Sequence, residues 1–318
     1  MRSATQILRT EESSTRPRAS TRRPRASSRR RQGQLWPALL LIAPAAIGFT
    51  VFYLYPTVRG FYLSLTNYSL LGQPKFIGFA NFTALATDAT FWNSLKVTIW
   101  YVILNIVFQT VIALGMAVLM HRLAKSTLIR GSLLLPFLIA NVVVALLWFW
   151  MLDYQIGIVN AALEFVGLPK VAFFGSSTWA IPTIAFVNVW RNMGYTALLI
   201  FAGLQTIPKT IYEAGAIDGA SEPKMFWRLT LPLLRPILVL VLVLTVTGSF
   251  QVFDTVAVTT KGGPGDASQV LQMYIFDQAF GRQHFGYASA ISVVLFIILA
   301  GVAFAQLKLL RGDESDLA

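Results

Sequence analysis

The chain has 318 residues, of which 55% are hydrophobic and only 13% charged, with a formal net charge of +12. A soluble domain would carry about twice that charged fraction, so the composition predicts that most of the chain lies in a membrane. The sequence has no cysteine and only two histidines, which excludes disulfides, cysteine zinc sites and thiol nucleophiles and argues against a histidine metal cluster.

Residues 1–34 form an arginine-rich segment with few apolar residues. We expect it to be disordered, because it cannot bury a core, and to lie in the cytoplasm against anionic lipid headgroups. In a membrane protein such basic residues report orientation, so no nucleic-acid partner is predicted. The alternative is a targeting peptide cleaved near Ala43-Pro44-Ala45, but the apolar run continues to Tyr55 and is long enough to span a bilayer.

Six segments are apolar over about the 20 residues that a helix needs to cross a bilayer. They predict an all-α polytopic membrane protein with transmembrane helices at residues 35–55, 97–120, 132–152, 179–204, 237–253 and 287–307. A β-barrel is disfavoured, because these runs are continuously apolar and do not alternate with a period of two. We therefore expect a transmembrane domain over residues 35–310 and a short cytoplasmic tail at 311–318.

The loops between these spans predict the orientation. The loop after the second span, HRLAKSTLIR, is basic along its length, which places both termini in the cytoplasm. Of the loops on the opposite side, residues 153–178 are expected to hold a short amphipathic helix near 158–166. Another such loop, TTKGGPGDASQ, predicts turns.

The fourth span carries a polar stripe. Its members, spaced at i, i+3, i+4 and i+7 so that they share one helix face, are Asn188, Arg191, Asn192 and Tyr195. This face cannot contact lipid cheaply, so it lies against other helices or a water-filled cavity. One interpretation is an interhelical polar network that holds the bundle together. The other, which we favour, is the lining of a pathway for a hydroxylated solute.

The end of the fifth span is also polar. Ser249, Gln251 and Asp254 occur there beside Phe250 and Phe253. Aromatic faces next to hydroxyl, amide and carboxylate groups suit a sugar, which has apolar ring faces and polar rims. Ordinary aromatic residues at a membrane interface explain the same pattern equally well.

Residues 213–236, EAGAIDGASEPKMFWRLTLPLLRP, interrupt the apolar chain. A helix over 209–218 is expected to end at Gly219, and Ser221 with Pro223 can begin a second helix, giving a cytoplasmic helix-turn-helix. Small residues leave the first helix able to approach a partner closely at Ala214, Gly215 and Asp218, with the charge of Glu213 beside them. A connector with favourable turn residues is the alternative to a docking helix.

The same stretch resembles the EAA loop of ABC importer permeases, a pattern of Glu-Ala-Ala, three residues, Gly, nine residues, Ile, one residue and Leu-Pro. The matching residues are Glu213, Ala214, Gly219, Leu231 and Pro232, with Gly215 in place of the second Ala and Leu229 in place of Ile. The resemblance extends over about residues 36–310 and is to carbohydrate-uptake permeases of the maltose and glycerol-phosphate type. The other stretches that carry it are GLQTIP, TTKGGPG, FIGFANF and LLLPF. We call residues 207–236 the EAA loop.

The resemblance implies a type I importer permease in a bacterial inner or plasma membrane, with the fold of the maltose permease and six transmembrane helices. It implies as partners a second homologous permease subunit, two ATP-binding subunits that hold ATP and Mg²⁺, an extracytoplasmic solute-binding protein and a sugar substrate. Because this chain has no G-x-x-x-x-G-K-[ST] phosphate loop, it is expected to hold no cofactor and to have no enzymatic activity of its own. The EAA loop would couple ATPase motion to the spans through Glu213, Ala214, Gly215, Asp218, Gly219, Leu231 and Pro232.

The resemblance also implies that the fourth to sixth spans line the solute pathway. Carried onto this sequence, it points to Asn188, Arg191, Asn192, Tyr195, Ser249, Gln251 and Asp254. The alternative function is a self-sufficient secondary transporter or channel. Against it, the predicted spans contain no Asp, Glu or His that would support a proton relay. A membrane-embedded enzyme is the weakest hypothesis, because no arrangement of nucleophile and base is visible.

Overall fold

The computed structural model describes residues 40–69, 72–123 and 127–310. These residues are helical apart from loops and one isolated antiparallel bridge between Thr66 and Phe76. The expectations for the tails at 1–34 and 311–318 lie outside the described residues. The chain divides into two compact units, Met1–Pro56 and Thr57–Ala318.

We number the helices in chain order. They are α1 Leu40–Ser64 with a π-helical turn at Thr50–Leu54, α2 Ala80–Thr87, α3 Ala89–Leu123, α4 Thr127–Ser132, α5 Leu135–Leu138, α6 Asn141–Met151, α7 Ile158–Phe165, α8 Ala180–Gln205, α9 Lys209–Ile217, α10 Glu222–Met225 followed by a π-helical turn at Phe226–Thr230, α11 Leu231–Leu233, α12 Arg235–Phe250, α13 Asp254–Thr259, α14 Leu271–Phe276 followed by a π-helical turn at Asp277–Gly281, and α15 Phe285–Leu310.

Four stretches of helix among the described residues are long and apolar enough to cross a membrane. They are Leu40–Ser64, Ala89–Arg122, Arg235–Thr259 and Phe285–Lys308. The predicted fourth span is the continuous helix α8, which has 26 residues and carries the polar stripe. The expected amphipathic helix near 158–166 is confirmed as α7.

The predicted third span, residues 132–152, is wrong as a single helix. The structure divides it among the end of α4, the four-residue helix α5 and the 11-residue helix α6. Ile139 and Ala140 separate α5 from α6, with extended ψ angles of 139° and 137°. The run is apolar except for Ser132 and Asn141, so its hydropathy gave no sign of the break, although Pro136 marks the first turn of α5.

Two apolar clusters are buried between α3, α8 and α12. One contains Tyr101 and Ile184 and extends to α14 and α15, and the other contains Ala117, Ile200 and Val241. Small alanines let α3 and α8 pack closely along their length. Polar residues occupy the layer between the two clusters, and the candidate site lies in this layer.

Candidate functional site

All seven residues that the sequence proposed for a solute pathway line one cavity. The cavity has a volume of about 250 Å³ and is lined by residues of α3, α5, α6, α8, α12 and the segment leading into α13. The seven residues are Asn188, Arg191, Asn192, Tyr195, Ser249, Gln251 and Asp254. The predicted stripe on α8 and the polar end of the fifth span therefore face the same space.

The two asparagines of the stripe on α8 make hydrogen bonds within the protein. Nδ2 of Asn188 donates to the Ile184 carbonyl at 2.9 Å and to Oγ1 of Thr255 at 3.2 Å. Nδ2 of Asn192 donates to the Asn188 carbonyl at 2.8 Å. Asn188 is buried and Asn192 is half-buried, so these side chains hold their own helix and its contact with α13 while bordering the cavity.

The Arg191 side chain donates hydrogen bonds to backbone carbonyls at the break in the predicted third span. Its Nη2 donates to the carbonyls of Phe137 and Ile139 at 3.2 Å each, and its Nε donates to the Ile139 carbonyl at 3.3 Å. Its guanidinium carbon also lies 5.2 Å from the centre of the Phe137 ring. Because the last carbonyls of a helix have no partner within the helix, this guanidinium replaces the hydrogen bonds that the break removes.

Aromatic rings cover part of the cavity wall. The rings of Phe137 and Tyr195 stack, with their centroids 4.5 Å apart and an angle of 9° between their planes. Phe253 lines the cavity near Asp254 and packs against Phe276, with centroids 5.1 Å apart. These flat apolar surfaces lie beside amides and a carboxylate, an arrangement that can contact both the ring face and the hydroxyl rim of a saccharide.

Asp254 supplies the carboxylate of the cavity. It is the first residue of α13 and half-buried, and its Oδ2 accepts a hydrogen bond from Nδ2 of Asn141 at 3.0 Å. Asn141 is the first residue of α6, directly after the break. Gln251, three residues before Asp254, is exposed in the cavity wall.

Sequence reasoning missed a polar network contributed by α3. Nδ2 of Asn105 donates to Oε1 of Gln109 at 3.0 Å and to Oγ of Ser249 at 2.8 Å. Nε2 of Gln109 donates to Oγ1 of Thr196 at 2.8 Å, which joins α3, α8 and α12. Within the described part of the chain, the buried Oδ1 of Asn105 has no hydrogen-bond partner. The spacing of Asn105 and Gln109 at i, i+4 in an apolar span was the available signal.

The helix-turn-helix predicted for the EAA loop is confirmed. Helix α9 ends at Ile217, and Gly219 has a φ of +70°. The N–H of Gly219 donates to the Ala216 carbonyl at 3.1 Å, and the N–H of Ala220 donates to the Gly215 carbonyl at 2.9 Å. This is the hydrogen-bond pattern of a glycine-terminated helix, in which the left-handed residue reverses the chain.

The two faces of α9 have different surroundings. Glu213, Ala214 and Asp218 are exposed, and Ile217 is 86% exposed although it is apolar. Gly215 is half-buried, and a Cβ atom there would lie 3.1 Å from Cδ1 of Leu229. Gly215 therefore permits packing inside the EAA loop. Of the remaining loop residues, Leu231 is half-buried and Pro232 is exposed.

Two side-chain contacts attach the EAA loop to the rest of the chain and to itself. Nη1 of Arg122, near the end of α3, lies 2.6 Å from Oε2 of Glu222, the first residue of α10. The Tyr212 hydroxyl lies 3.1 Å from Oγ1 of Thr230, joining α9 to the π-helical turn. Helix α3 thus contacts the EAA loop at one end and carries Asn105 and Gln109 of the cavity along its length.

At the opposite end of α3, just before its first residue, the Asp88 carboxylate accepts several hydrogen bonds. Asp88 Oδ1 accepts from the N–H of Thr90 at 2.9 Å, and its Oδ2 accepts from the hydroxyls of Tyr274 and Tyr287. Burial opposes ionisation of Asp88, but these hydrogen bonds and that from the Phe91 N–H outweigh it and lower its pKa below 3.8. Burial and the neighbouring carboxylate raise the pKa of Tyr274 to about 12.

Among the described residues, no group of three or more histidine or carboxylate side chains could hold a metal ion. The arrangement thus offers a polar cavity with aromatic walls, a helix-turn-helix with an exposed face on α9, and the helix α3, which contacts both.

The chain is similar to several known proteins. The profile of the family described as "Binding-protein-dependent transport system inner membrane component" matches residues 109–309. The sulfoquinovosyl glycerol transport system permease protein SmoG of Agrobacterium fabrum is 35% identical over 280 residues, covering 87% of this chain and 91% of SmoG.

Two further relatives have similar coverage. The trehalose/maltose transport system permease protein MalF of Thermococcus litoralis is 31% identical, covering 86% of this chain and 92% of MalF. The sn-glycerol-3-phosphate transport system permease protein UgpA of Rhizobium meliloti is 32% identical, covering 85% of this chain and 92% of UgpA. A bacterial ABC transporter for import of the acidic polysaccharide alginate has the same fold, with a TM-score of 0.78 at 23% identity, covering 90% of this chain and 98% of that one.

Proposed function

The chain belongs to the family of binding-protein-dependent transport system inner membrane components, as the permease subunit of an ABC importer of sugars or oligosaccharides, and we propose that its cavity is part of the solute pathway. It is a multi-pass inner-membrane protein and not itself catalytic. The observation that carries the proposal is the convergence of the seven predicted residues on one polar cavity between two apolar clusters.

The cavity has the chemistry that a saccharide requires. Amide groups of Asn188, Asn192 and Gln251 offer donors and acceptors to hydroxyls, and the ring of Tyr195 offers an apolar surface. Because the cavity is small, at about 250 Å³, we infer that it is one side of a pathway that a second, homologous permease subunit completes.

The EAA loop is proposed to receive the motion of the ATP-binding subunits. The exposed face of α9, with Glu213, Ala214, Ile217 and Asp218, would contact the ATPase, which would bind ATP and Mg²⁺. The turn at Gly219 would fix the angle between the two helices of the loop. The Arg122 contact would then transmit displacement of α10 to α3 and so to the cavity.

The remaining topology is part of the same proposal. We infer six membrane crossings: the four long apolar stretches, α8, and the broken segment α4 to α6, whose backbone groups at the break are satisfied by Arg191. Both termini and the EAA loop would face the cytoplasm, in agreement with the basic residues in the last turns of α3 and α15. An extracytoplasmic binding protein would deliver the solute to the opposite side.

Reconstitution tests this function against the alternative of a self-sufficient transporter or channel. The chain would be placed in liposomes alone or with its permease partner, ATPase and binding protein, and uptake of labelled disaccharides would be measured with and without ATP. We expect uptake only in the complete complex with ATP. Uptake by the chain alone, without ATP, would favour the secondary transporter or channel.

A further inference from the structure

We propose that a zwitterionic phospholipid of the phosphatidylethanolamine type binds in a groove between α3 and the second half of the EAA loop. One acyl chain lies along α3, the phosphate meets Arg122 and the ammonium meets Glu222. The inference rests on the proposed topology, which puts this end of α3 at the cytoplasmic boundary of the membrane. The groove shares no lining residue with the solute cavity.

The groove has a volume of about 560 Å³ and runs between α3 on one side and α10 with its π-helical turn on the other. On α3 the lining residues recur at a spacing of three or four and so lie along one helix face. Val111 is 65% exposed and Trp227 is 66% exposed, so the groove opens at the protein surface. We call it the α3 groove, and its lining residues are Val111, Leu114, Gly115, Val118, Arg122, Glu222, Pro223, Phe226 and Trp227.

The length of the α3 groove matches one leaflet of a bilayer. Val111 and Arg122 are about three turns apart on α3, or about 16 Å along the helix axis. Half of the hydrocarbon core of a bilayer is about 15 Å thick. In the proposed topology α3 crosses the membrane over Ala89–Arg122, so the groove runs from the headgroup boundary to about the middle of the bilayer.

The part of the groove that lies within the hydrocarbon layer is apolar and has an open floor. A Cβ atom at Gly115, which is exposed, would have no neighbour within 4 Å. Leu114 and Val118 flank this space, and the rings of Phe226 and Trp227, with centroids 5.4 Å apart, form the opposite wall. An acyl chain fits such walls, whereas a saccharide would leave most of its hydroxyls without hydrogen-bond partners there.

The cytoplasmic end of the groove presents two opposite charges. Nη1 of Arg122 lies 2.6 Å from Oε2 of Glu222, and 51% and 68% of the two side chains remain accessible. Of the described residues that line the groove, these two are the charged ones, so the lining is neutral as a whole. A guanidinium has several N–H donors and a carboxylate several lone pairs, so the intact pair can also bind a phosphate and an ammonium. A zwitterionic headgroup carries these same two charges.

The Glu222 carboxylate selects the headgroup. The ammonium of phosphatidylethanolamine donates N–H hydrogen bonds to a carboxylate, whereas phosphatidylcholine has no N–H and phosphatidylglycerol has no cation. Arg122 binds the phosphate that all three lipids share. Headgroup preference is therefore expected to depend on Glu222, and retention of the lipid on the open floor at Gly115.

Lipid retention by the assembled importer tests the site. The importer would be reconstituted in liposomes of equal parts palmitoyl-oleoyl phosphatidylethanolamine, phosphatidylcholine and phosphatidylglycerol, then extracted in mild detergent. Native mass spectrometry would identify and count the lipids that stay bound. Gly115→Phe fills the groove, and Gly301→Phe in α15, also exposed with no neighbour within 4 Å of its Cβ position, is the matched control. Glu222→Gln is a conservative exchange at an exposed position and alters the headgroup contact alone.

We expect Gly115→Phe to retain about one phospholipid fewer per importer than the wild type, and Gly301→Phe to retain as many as the wild type. The lost lipid should be phosphatidylethanolamine at least about fivefold more often than either other lipid, as one hydrogen bond to a charged group gives. Glu222→Gln should abolish this preference, because Arg122 alone then faces the headgroup.

Three results would overturn the proposal: lipid retention that Gly115→Phe does not change, loss of phosphatidylcholine or phosphatidylglycerol in place of phosphatidylethanolamine, or a preference that survives Glu222→Gln. Loss of the second permease subunit from Gly115→Phe without loss of a lipid would also overturn it, by assigning the groove to a helix of that subunit. ATP-driven disaccharide uptake by the same wild-type preparation tests the importer function separately, so the two failures are distinguishable.

Discussion

Nη1 of Arg122 lies 2.6 Å from Oε2 of Glu222, joining the end of α3 to the start of α10 across 100 residues of sequence. The contact is exposed, with 51% and 68% of the two side chains accessible, so it contributes little to folding stability. Its position, between the EAA loop and the helix that carries Asn105 and Gln109, makes it a candidate for transmitting motion.

Charge reversal tests this contact. Arg122→Glu or Glu222→Arg should each lower the sugar imported per ATP hydrolysed by the reconstituted complex, because like charges would separate α10 from α3. The double variant, which restores the pair in reverse, should recover coupling. The same exchange at Glu164 in α7 and Lys170 in the loop that follows, which form an ion pair, is the control and should leave coupling unchanged. Equal losses in the single and double variants would contradict the proposed role.

Gly194 permits the close contact between α8 and the broken segment. A Cβ atom there would lie 1.8 Å from the Leu133 carbonyl oxygen, a distance that requires the backbone to move. Gly194→Ala should therefore lower thermal stability in detergent by several degrees and displace the break that Arg191 binds. Gly115→Ala in α3, where nothing lies within 4 Å, should be neutral or slightly stabilising. Equal melting temperatures for both variants would contradict this packing.

How far the sequence predicted the site can be judged from single residues. The i, i+3, i+4, i+7 spacing placed Asn188, Arg191, Asn192 and Tyr195 on one face because α8 is a regular helix, and local turn residues predicted Gly219. The break at Ile139 was not predictable from its apolar surroundings. The Ile139 carbonyl accepts its hydrogen bond from Arg191, which lies on a different helix 52 residues away in the chain. Long-range contacts of this kind leave no mark on local periodicity.

The hydrogen bonds to Asp88 predict a pH dependence of stability. Because its pKa is lowered in the folded state, Asp88 contributes stability that is present above its usual pKa of 3.8 and is lost as the pH falls through the lower folded value. Asp88→Asn should thus melt below the wild type at pH 7, and the difference should shrink below about pH 4. Melting curves between pH 7 and 3 would show this, and a difference that does not change with pH would contradict it.

Tyrosine variants isolate the contact between Asp88 and the last helices. Tyr274→Phe and Tyr287→Phe each remove one donor to the carboxylate and should each lower stability by about 1 kcal/mol, with a larger loss when combined. Tyr68→Phe is a control, because the Tyr68 ring packs on Phe285 without a hydrogen bond from its hydroxyl to Asp88. Stabilities of the Asp88-linked variants equal to that of the control would show that these donors contribute nothing.

A matched pair of variants at Gly219 tests the proposed coupling of an ATPase to the cavity through the EAA loop. Asn tolerates a φ of +70°, whereas β-branched Val does not, so Gly219→Asn should keep the turn and Gly219→Val should distort it.

The measurement is ATP-driven disaccharide uptake by the reconstituted importer, with co-purification of the permease partner and the ATPase from the same preparations. We expect Gly219→Val to retain the permease partner but to lose most of the ATPase and nearly all uptake, while Gly219→Asn stays close to wild type. Wild-type uptake and ATPase binding in Gly219→Val would contradict it.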